Sequence, residues 1–241
     1  MRIEDMCGNT LNLSDELIAV THNVVVDNFQ QEISPRSVIR MSEIILLQTE
    51  DILDQVRNQR KPVIDCQAGC YYCCCAYVTT TTLETLQLVA YIRSHFSDRE
   101  IEELKQRTAN VAAKRRGLTA DAQEALRVYC PLLVDNKCSV YAARPLPCRG
   151  WTSGSVTACR HNAEQTDEPV VPIPYYRPYK EITTGVRVGV QSGLDQTPLQ
   201  NDDLELAASL EVALDMPDII ERWLTGEEVF PESTWQKDDE H

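Results

Sequence analysis

Five of the ten cysteines of this chain fall within ten residues, CQAGCYYCCC at 66–75. Sulfur at that density narrows what the segment can become. A buried free cysteine behaves as a small apolar side chain, and a core has no reason to crowd such residues into one loop. The thiols therefore pair as disulfides, ligate a metal or do redox chemistry, and compartment separates these outcomes. The first residues, MRIEDMCGNTLNLSDE, put charged and polar groups where a secretory leader needs an apolar run of roughly 7–15. The longest apolar runs, VVV at 24–26 and IILL at 44–47, fall far short of the ~20 residues that cross a bilayer. The chain reads as cytoplasmic and without a membrane span, so metal ligation or redox chemistry is the expected use of the cluster.

Spacing sharpens that expectation. The first group is Cys66-x3-Cys70-x2-Cys73-Cys74, with Cys75 as an extra neighbour; the second is Cys130-x7-Cys138-x9-Cys148, followed by Cys159. Eight thiolates remain when Cys7 and Cys75 are left aside. Thiolates are soft, charged donors suited to zinc and to iron-sulfur clusters, and short spacings let one turn of backbone present several sulfurs to one centre. Tetrahedral zinc takes four ligands and a [4Fe-4S] cubane at most four, so seven or eight cysteines imply two sites, or one site and spare thiols. Adjacent Cys73 and Cys74 point in different directions, so the two do not serve one ion equally. Because Cys66, Cys70 and Cys73 supply three thiolates from one short loop, an iron-sulfur cluster is the preferred cofactor, with zinc as the alternative.

The rest of the chain reads as mainly helical, with a loop-rich cysteine region and at most a short β-hairpin. At 241 residues and 43% hydrophobic content it can build a sizeable core without disulfides. Helices are expected at 11–33 and 35–60, the second opened by Ser34 and Pro35 and closed by Pro62, with Val38, Met41, Ile45, Ile52 and Val56 as its core stripe. Thr81 with Glu84 and Ser97 with Glu100 fit capping boxes that open helices at 82–96 and 98–116. A shorter helix follows Thr119. Prolines make 130–178 irregular, and the alternating Val186, Val188 and Val190 predict a strand or hairpin arm within 181–193. Helix returns over 201–224, with Leu204, Ala207, Leu210 and Leu214 on one side. Three segments result: an N-terminal helical one at 1–62, a cysteine-rich one at 63–165 and a C-terminal one at 166–241, joined in one compact unit.

A formal charge of -14 repels nucleic-acid phosphates and anionic membranes, which leaves a protein or small-molecule partner. The basic KRR at 114–116 reads as helix-end cations before a Gly117 cap, not as a phosphate-binding patch. His22, His95, His161 and His241 are dispersed; His161, near Cys159, reads as a surface residue.

The segment CPLLVDNKCSVYAARPLPCRGW at 130–151 resembles the CPfL-x-C-x-Y-x-x-RP-x-x-CR pattern of the CxxCxxCC family, the YkgJ-like zinc- or iron-chelating proteins. CQAGCYYCCCAYVTTTTLETLQLVAYI is similar to the other half of that family's motif, in which a helical glutamate follows the cysteines; Glu84 occupies that place. ERWLTGEEVF at 221–230 looks like one branch of the family, so about half the chain is covered. The resemblance carries Cys66, Cys70, Cys73, Cys74, Cys130, Cys138 and Cys148 over as the cysteine set, with Tyr141, Arg144, Pro145 and Arg149 beside them. Cys159 lies beyond the motif and is added through the SGS turn; Cys7 and Cys75 have no counterpart. Guanidinium groups near thiolates would offset their charge, whereas the plainer use of either arginine is a carboxylate pair. The implied function is metal binding in a redox, structural or carrier role. An enzyme modifying a protein or small molecule, related to the family's flagellin lysine methylases, is the alternative, with no catalytic residue assigned. Cys66-x3-Cys70-x2-Cys73 also matches the spacing of radical SAM enzymes; because the helices after it lack that fold's alternating strands, a radical SAM-like enzyme stands as the remote third reading.

Overall fold

The computed structural model describes residues 2–4, 10–31, 33–60, 63–67, 69–165 and 168–234; Cys7, Pro62 and the KDDEH tail lie outside them. Strands β1 (Arg2–Glu4) and β2 (Thr10–Asn12) pair antiparallel and lead into α1 (Leu13–Phe29). Ser34 opens α2 (Pro35–Arg60), its hydroxyl accepting the Ser37 amide at 3.1 Å. Val38, Met41, Ile45 and Val56 are buried along one side of that helix, as their spacing predicts.

After a single 3-10 turn at Tyr72–Cys75, β3 (Thr79–Thr81) runs into α3 (Thr82–His95), followed by α4 (Asp98–Arg115). Both expected capping boxes are present at the starts of α3 and α4. Every residue from Thr82 to Val89 is buried, which makes α3 the axis around which the other helices pack. Thr119 caps the short α5 (Ala120–Ala125). Gly117, at φ +77°, ends α4 in the left-handed region, and Arg116 pairs with Glu211 at 2.6 Å. Arg115 departs from the helix-end reading. It is only 4% exposed and turns inward to Gln123 and to Glu205, 3.7 Å away.

The segment 130–178 is more ordered than its prolines suggest. Strands β4 (Leu133–Val134) and β5 (Lys137–Cys138) form a hairpin, and the short α6 (Leu146–Gly150) and α7 (Val156–Glu164) follow. Asp135 and Asn136 take φ of 49° and 60°, the left-handed pair that a two-residue hairpin turn demands. The expected strand at 181–193 is overturned: those residues lie in α8 (Arg177–Leu194). Ile182, Val186, Gly189, Val190 and Gly193 are buried at helical spacing while Val188 is 40% exposed, so the alternation of valines was incidental. Packing overrides the poor helix propensity of Gly, Val and Thr. A Cβ at Gly189 would sit 2.7 Å from the Ile18 carbonyl oxygen, and one at Gly193 would sit 2.6 Å from Val25 Cβ, so the glycines let α8 lie directly against α1.

Strand β6 (Asp203–Glu205) pairs antiparallel with β3, Thr79 opposite Glu205, before α9 (Leu206–Asp215) and α10 (Ile219–Leu224). The helix expected over 201–224 is thus a strand and two helices, parted by Pro217; Leu204 is buried from the strand, not from a helical face. Gln200 locks the C-terminal segment by accepting from Trp223 Nε1 through its carbonyl and exchanging two hydrogen bonds with the Phe230 backbone. One core cluster draws residues from Val25 through α3 to Phe230. The protein is mainly helical, with short two-stranded pairings among the described residues.

Candidate metal centre

Nine cysteines are described, and all nine are free thiols. The first group sits on a loop held down by Ser153. Asp65 donates its amide to the Ser153 carbonyl at 2.8 Å, and its carboxylate accepts the Val156 amide at the start of α7. The Ser153 amide donates to Cys66 Sγ at 3.1 Å, and its side chain hydrogen-bonds the thiol of Cys159 on α7. One serine thus brings together two cysteines 93 positions apart in sequence. Gly69, at φ +89°, turns the chain into Cys70, whose amide donates to the Gln67 carbonyl.

The 3-10 turn then sets the next three sulfurs in different directions. Cys75 is buried and donates to the Tyr72 carbonyl at 3.0 Å, a packing role inside the turn. The Cys73 thiol is hydrogen-bonded to Cys74. The Cys74 carbonyl accepts the Cys130 amide at 2.7 Å, a direct backbone link between the two cysteine groups. From there the β4–β5 hairpin carries Cys138 back, opposite Leu133, and α6 presents Cys148.

The thiols sense one another. Cys66 and Cys159 both lie within electrostatic reach of Cys70 and Cys73, while Cys138 and Cys148 also lie within reach of Cys73. Cys130 is coupled to Cys148 and Cys138. Burial pushes the Cys66, Cys130, Cys138 and Cys159 thiols up, and holds Cys148 at about 12. Cys73 is raised first by its bond to Cys74 and then by burial; the residue is exposed overall, but its sulfur is hemmed in by the neighbouring chain. Without a cation these sulfurs are held protonated, because each thiolate would be poorly solvated and next to others.

Arg149 is buried and spends its guanidinium on Glu50, the Arg144 carbonyl at 2.7 Å and the Ala142 carbonyl at 2.6 Å. Arg144 also pairs with Glu50, at 3.4 Å, and lies over the Tyr141 ring, 4.2 Å from its centroid. Tyr141 is 54% exposed and serves as a shelf for that cation. Both arginines therefore make the carboxylate pair. Their fields still favour the charged form of the thiols: Arg144 acts on Cys73, Cys138 and Cys148, and Arg149 on Cys138. Glu84 accepts the Thr81 amide at 2.8 Å through one oxygen and the Leu146 amide at 2.7 Å through the other, which fastens the helix bearing Cys148 to α3. His161 bonds the Pro169 carbonyl and faces Glu168, away from any ligand role.

Glu50 gave no sign in the sequence, where it reads as one more acid on a long helix. Ser153 was legible only as part of the SGS turn. Among the described residues, no three His, Cys, Asp or Glu side chains are drawn closely enough to hold one metal ion. The donor chemistry is that of a soft metal, since the described cysteines are free thiols with arginines among them. No described helix is long and apolar enough to cross a membrane. Comparisons with protein-family models, curated proteins and solved structures return no significant match for this chain.

Proposed function

We propose that this chain is a metal-binding protein of a reducing compartment, holding an iron-sulfur cluster through Cys66, Cys70, Cys73, Cys74, Cys130, Cys138, Cys148 and Cys159, with zinc as the alternative metal. The observation that carries the reading is the junction of the two distant groups at Cys73–Cys74, where the Cys130 amide meets the Cys74 carbonyl at 2.7 Å. Incidental core cysteines would also have no reason to cluster in sequence, five within ten residues. The likeness of both cysteine segments to the CxxCxxCC family points the same way. A bound cluster supplies one-electron chemistry or an open iron; zinc supplies a structural or carried ion.

Within this reading the protein's own groups have separable tasks. Ser153 orients Cys66 and Cys159, Glu84 fixes the Cys148 helix, and Arg144 and Arg149 temper the negative charge that deprotonated sulfur brings. Anaerobic purification tests the proposal. The expected preparation is brown, releases sulfide on acidification and bleaches in air. Colourless protein with stoichiometric zinc and no acid-labile sulfide would replace the cluster by zinc, and protein with neither metal would overturn the function.

A further inference from the structure

We infer that the cavity between the end of α4 and the start of α9 binds a small monocarboxylate, held by an unfilled edge of the Arg115 guanidinium. A site here needs no metal and stands apart from the reading above. The cavity measures about 180 Å³, below the ~300–1,000 Å³ of sites for drug-sized ligands, so its occupant is small. Arg115 lines it although only 4% of its side chain is exposed. Its Nη1 donates to the Gln123 carbonyl at 3.2 Å and to the Gln123 side-chain oxygen at 3.3 Å. Its other nitrogens are less well served. Nε has only the Glu205 carboxylate, 3.7 Å away and beyond hydrogen-bond reach, and Nη2 has no partner among the described residues.

Nε and Nη2 together form one edge of the guanidinium, and such an edge takes a carboxylate through two parallel hydrogen bonds. A buried cation with that edge unfilled is destabilising, and a bound anion offsets this. Glu205 does not already do so. One of its oxygens accepts the Ala208 amide at 2.7 Å and caps α9, so part of its charge is engaged by that helix start. The Tyr77 ring lies under the guanidinium, 5.6 Å from Cζ to the ring centroid, and fixes its plane. Ala112, Leu118 and Ala208 make the rest of the wall apolar. A ligand with one carboxylate and a short apolar body fits these surroundings. A doubly charged phosphate does not, because Glu205 would repel its second charge.

Sodium benzoate and sodium butyrate, titrated into the isotope-labelled whole chain and followed by NMR, test the site, with benzamide and inorganic phosphate as controls. Both carboxylates should shift the Gly117, Leu118 and Ala208 amides saturably, and neither control should. Arg115→Gln should weaken the carboxylates by about 10–100-fold, the worth of hydrogen bonds to a charged group. That change also strips Glu205 of its cation, so circular dichroism checks the fold and a second variant carries the test if folding fails. Leu118→Trp, at a half-buried position, should fill the cavity and abolish binding while the fold persists. Benzamide binding as tightly as benzoate, phosphate binding more tightly than either carboxylate, or undiminished binding in Leu118→Trp would each overturn the assignment. If neither carboxylate shifts these amides, the cavity holds solvent only and the assignment fails.

Discussion

Replacing Glu84 should loosen the protein far more than replacing Glu100, although both occupy the same place in the same capping motif. Glu84 is 7% exposed, and its two oxygens accept from the Thr81 and Leu146 amides at 2.8 and 2.7 Å. Glu84→Ala orphans both donors, at about 1–3 kcal/mol each for buried groups left unsatisfied. It also removes one carboxylate from Arg187, 3.9 Å away, but Asp203 at 2.7 Å keeps that cation paired. The expected loss is therefore about 3–5 kcal/mol, a large part of the 5–15 kcal/mol that holds a typical domain folded. Glu100 closes its box on solvent, where water can replace it, so Glu100→Ala should cost a small fraction of this. Glu84→Gln falls between them, because a carboxamide offers one oxygen and can serve only one of the two amides. Urea unfolding followed by circular dichroism gives the three values. Hydrogen exchange adds the local readout: the Leu146 amide should lose protection in Glu84→Ala. Equal destabilisation by Glu84→Ala and Glu100→Ala, or a Leu146 amide as protected as before, would refute the idea that this glutamate joins α3 to the Cys148 helix.

Arg149→Met should destabilise by about 3 kcal/mol, the low end for breaking a buried pair because Glu50 keeps some solvent contact. Arg149→Lys should recover little of it, since an ammonium lacks the planar fork that reaches Glu50 and two carbonyls together; full recovery in urea unfolding would show that charge alone matters. Metal-free protein should lose stability as pH rises above about 8.5, the ordinary thiol value. The sign follows from the raised folded-state pKa values: above 8.5 the unfolded chain releases thiol protons that the folded chain still holds, up to about 12 at Cys148. Each fully buried thiol then contributes a fall of up to about 1.4 kcal/mol per pH unit. Urea midpoints with a chelator present should drop between pH 8 and 10, and a flat or rising midpoint would contradict the burial of these sulfurs.

What could be read without coordinates was local. Ser34, Thr81, Ser97 and Thr119 announce helix starts because a capping side chain acts within three residues of itself, and all four helices begin there. The cysteine groups were legible for a similar reason, since a loop that presents several sulfurs must carry them close together in sequence. Failures came where a partner distant in sequence decides the outcome. Val186 and Val190 suit a strand by composition, yet α1 lies against Gly189 and Gly193 and selects the helix. Arg115 looks like a helix-end cation until Glu205, ninety residues later, receives it inside. Arg144 and Arg149 were seen beside the thiols, whereas Glu50, which takes their hydrogen bonds, has no local feature that marks it.

The same long-range partners explain how the cysteine loops are kept on a stable body. The 130–159 segment sends Leu132, Val140, Ala143 and Leu146 into the main core, with Cys130 and Cys138 packed against it. Polar fasteners add to that packing: Ser153 joins the segment to the Cys66 loop, while Glu84 on α3 and Glu50 on α2 hold it to the helices. Glu84 and Glu50 hold backbone and guanidinium groups, whereas the Ser153 amide holds the Cys66 sulfur directly. The protonated state completes the arrangement. In the proposed metal-binding reading, a metal would enter by displacing protons from the thiols that burial raises, such as Cys130 and Cys148, and its binding energy would also become folding energy for the loops it joined. Stability of the cysteine region and metal occupancy would then be one linked quantity, whereas the core around α3 rests on its own apolar contacts.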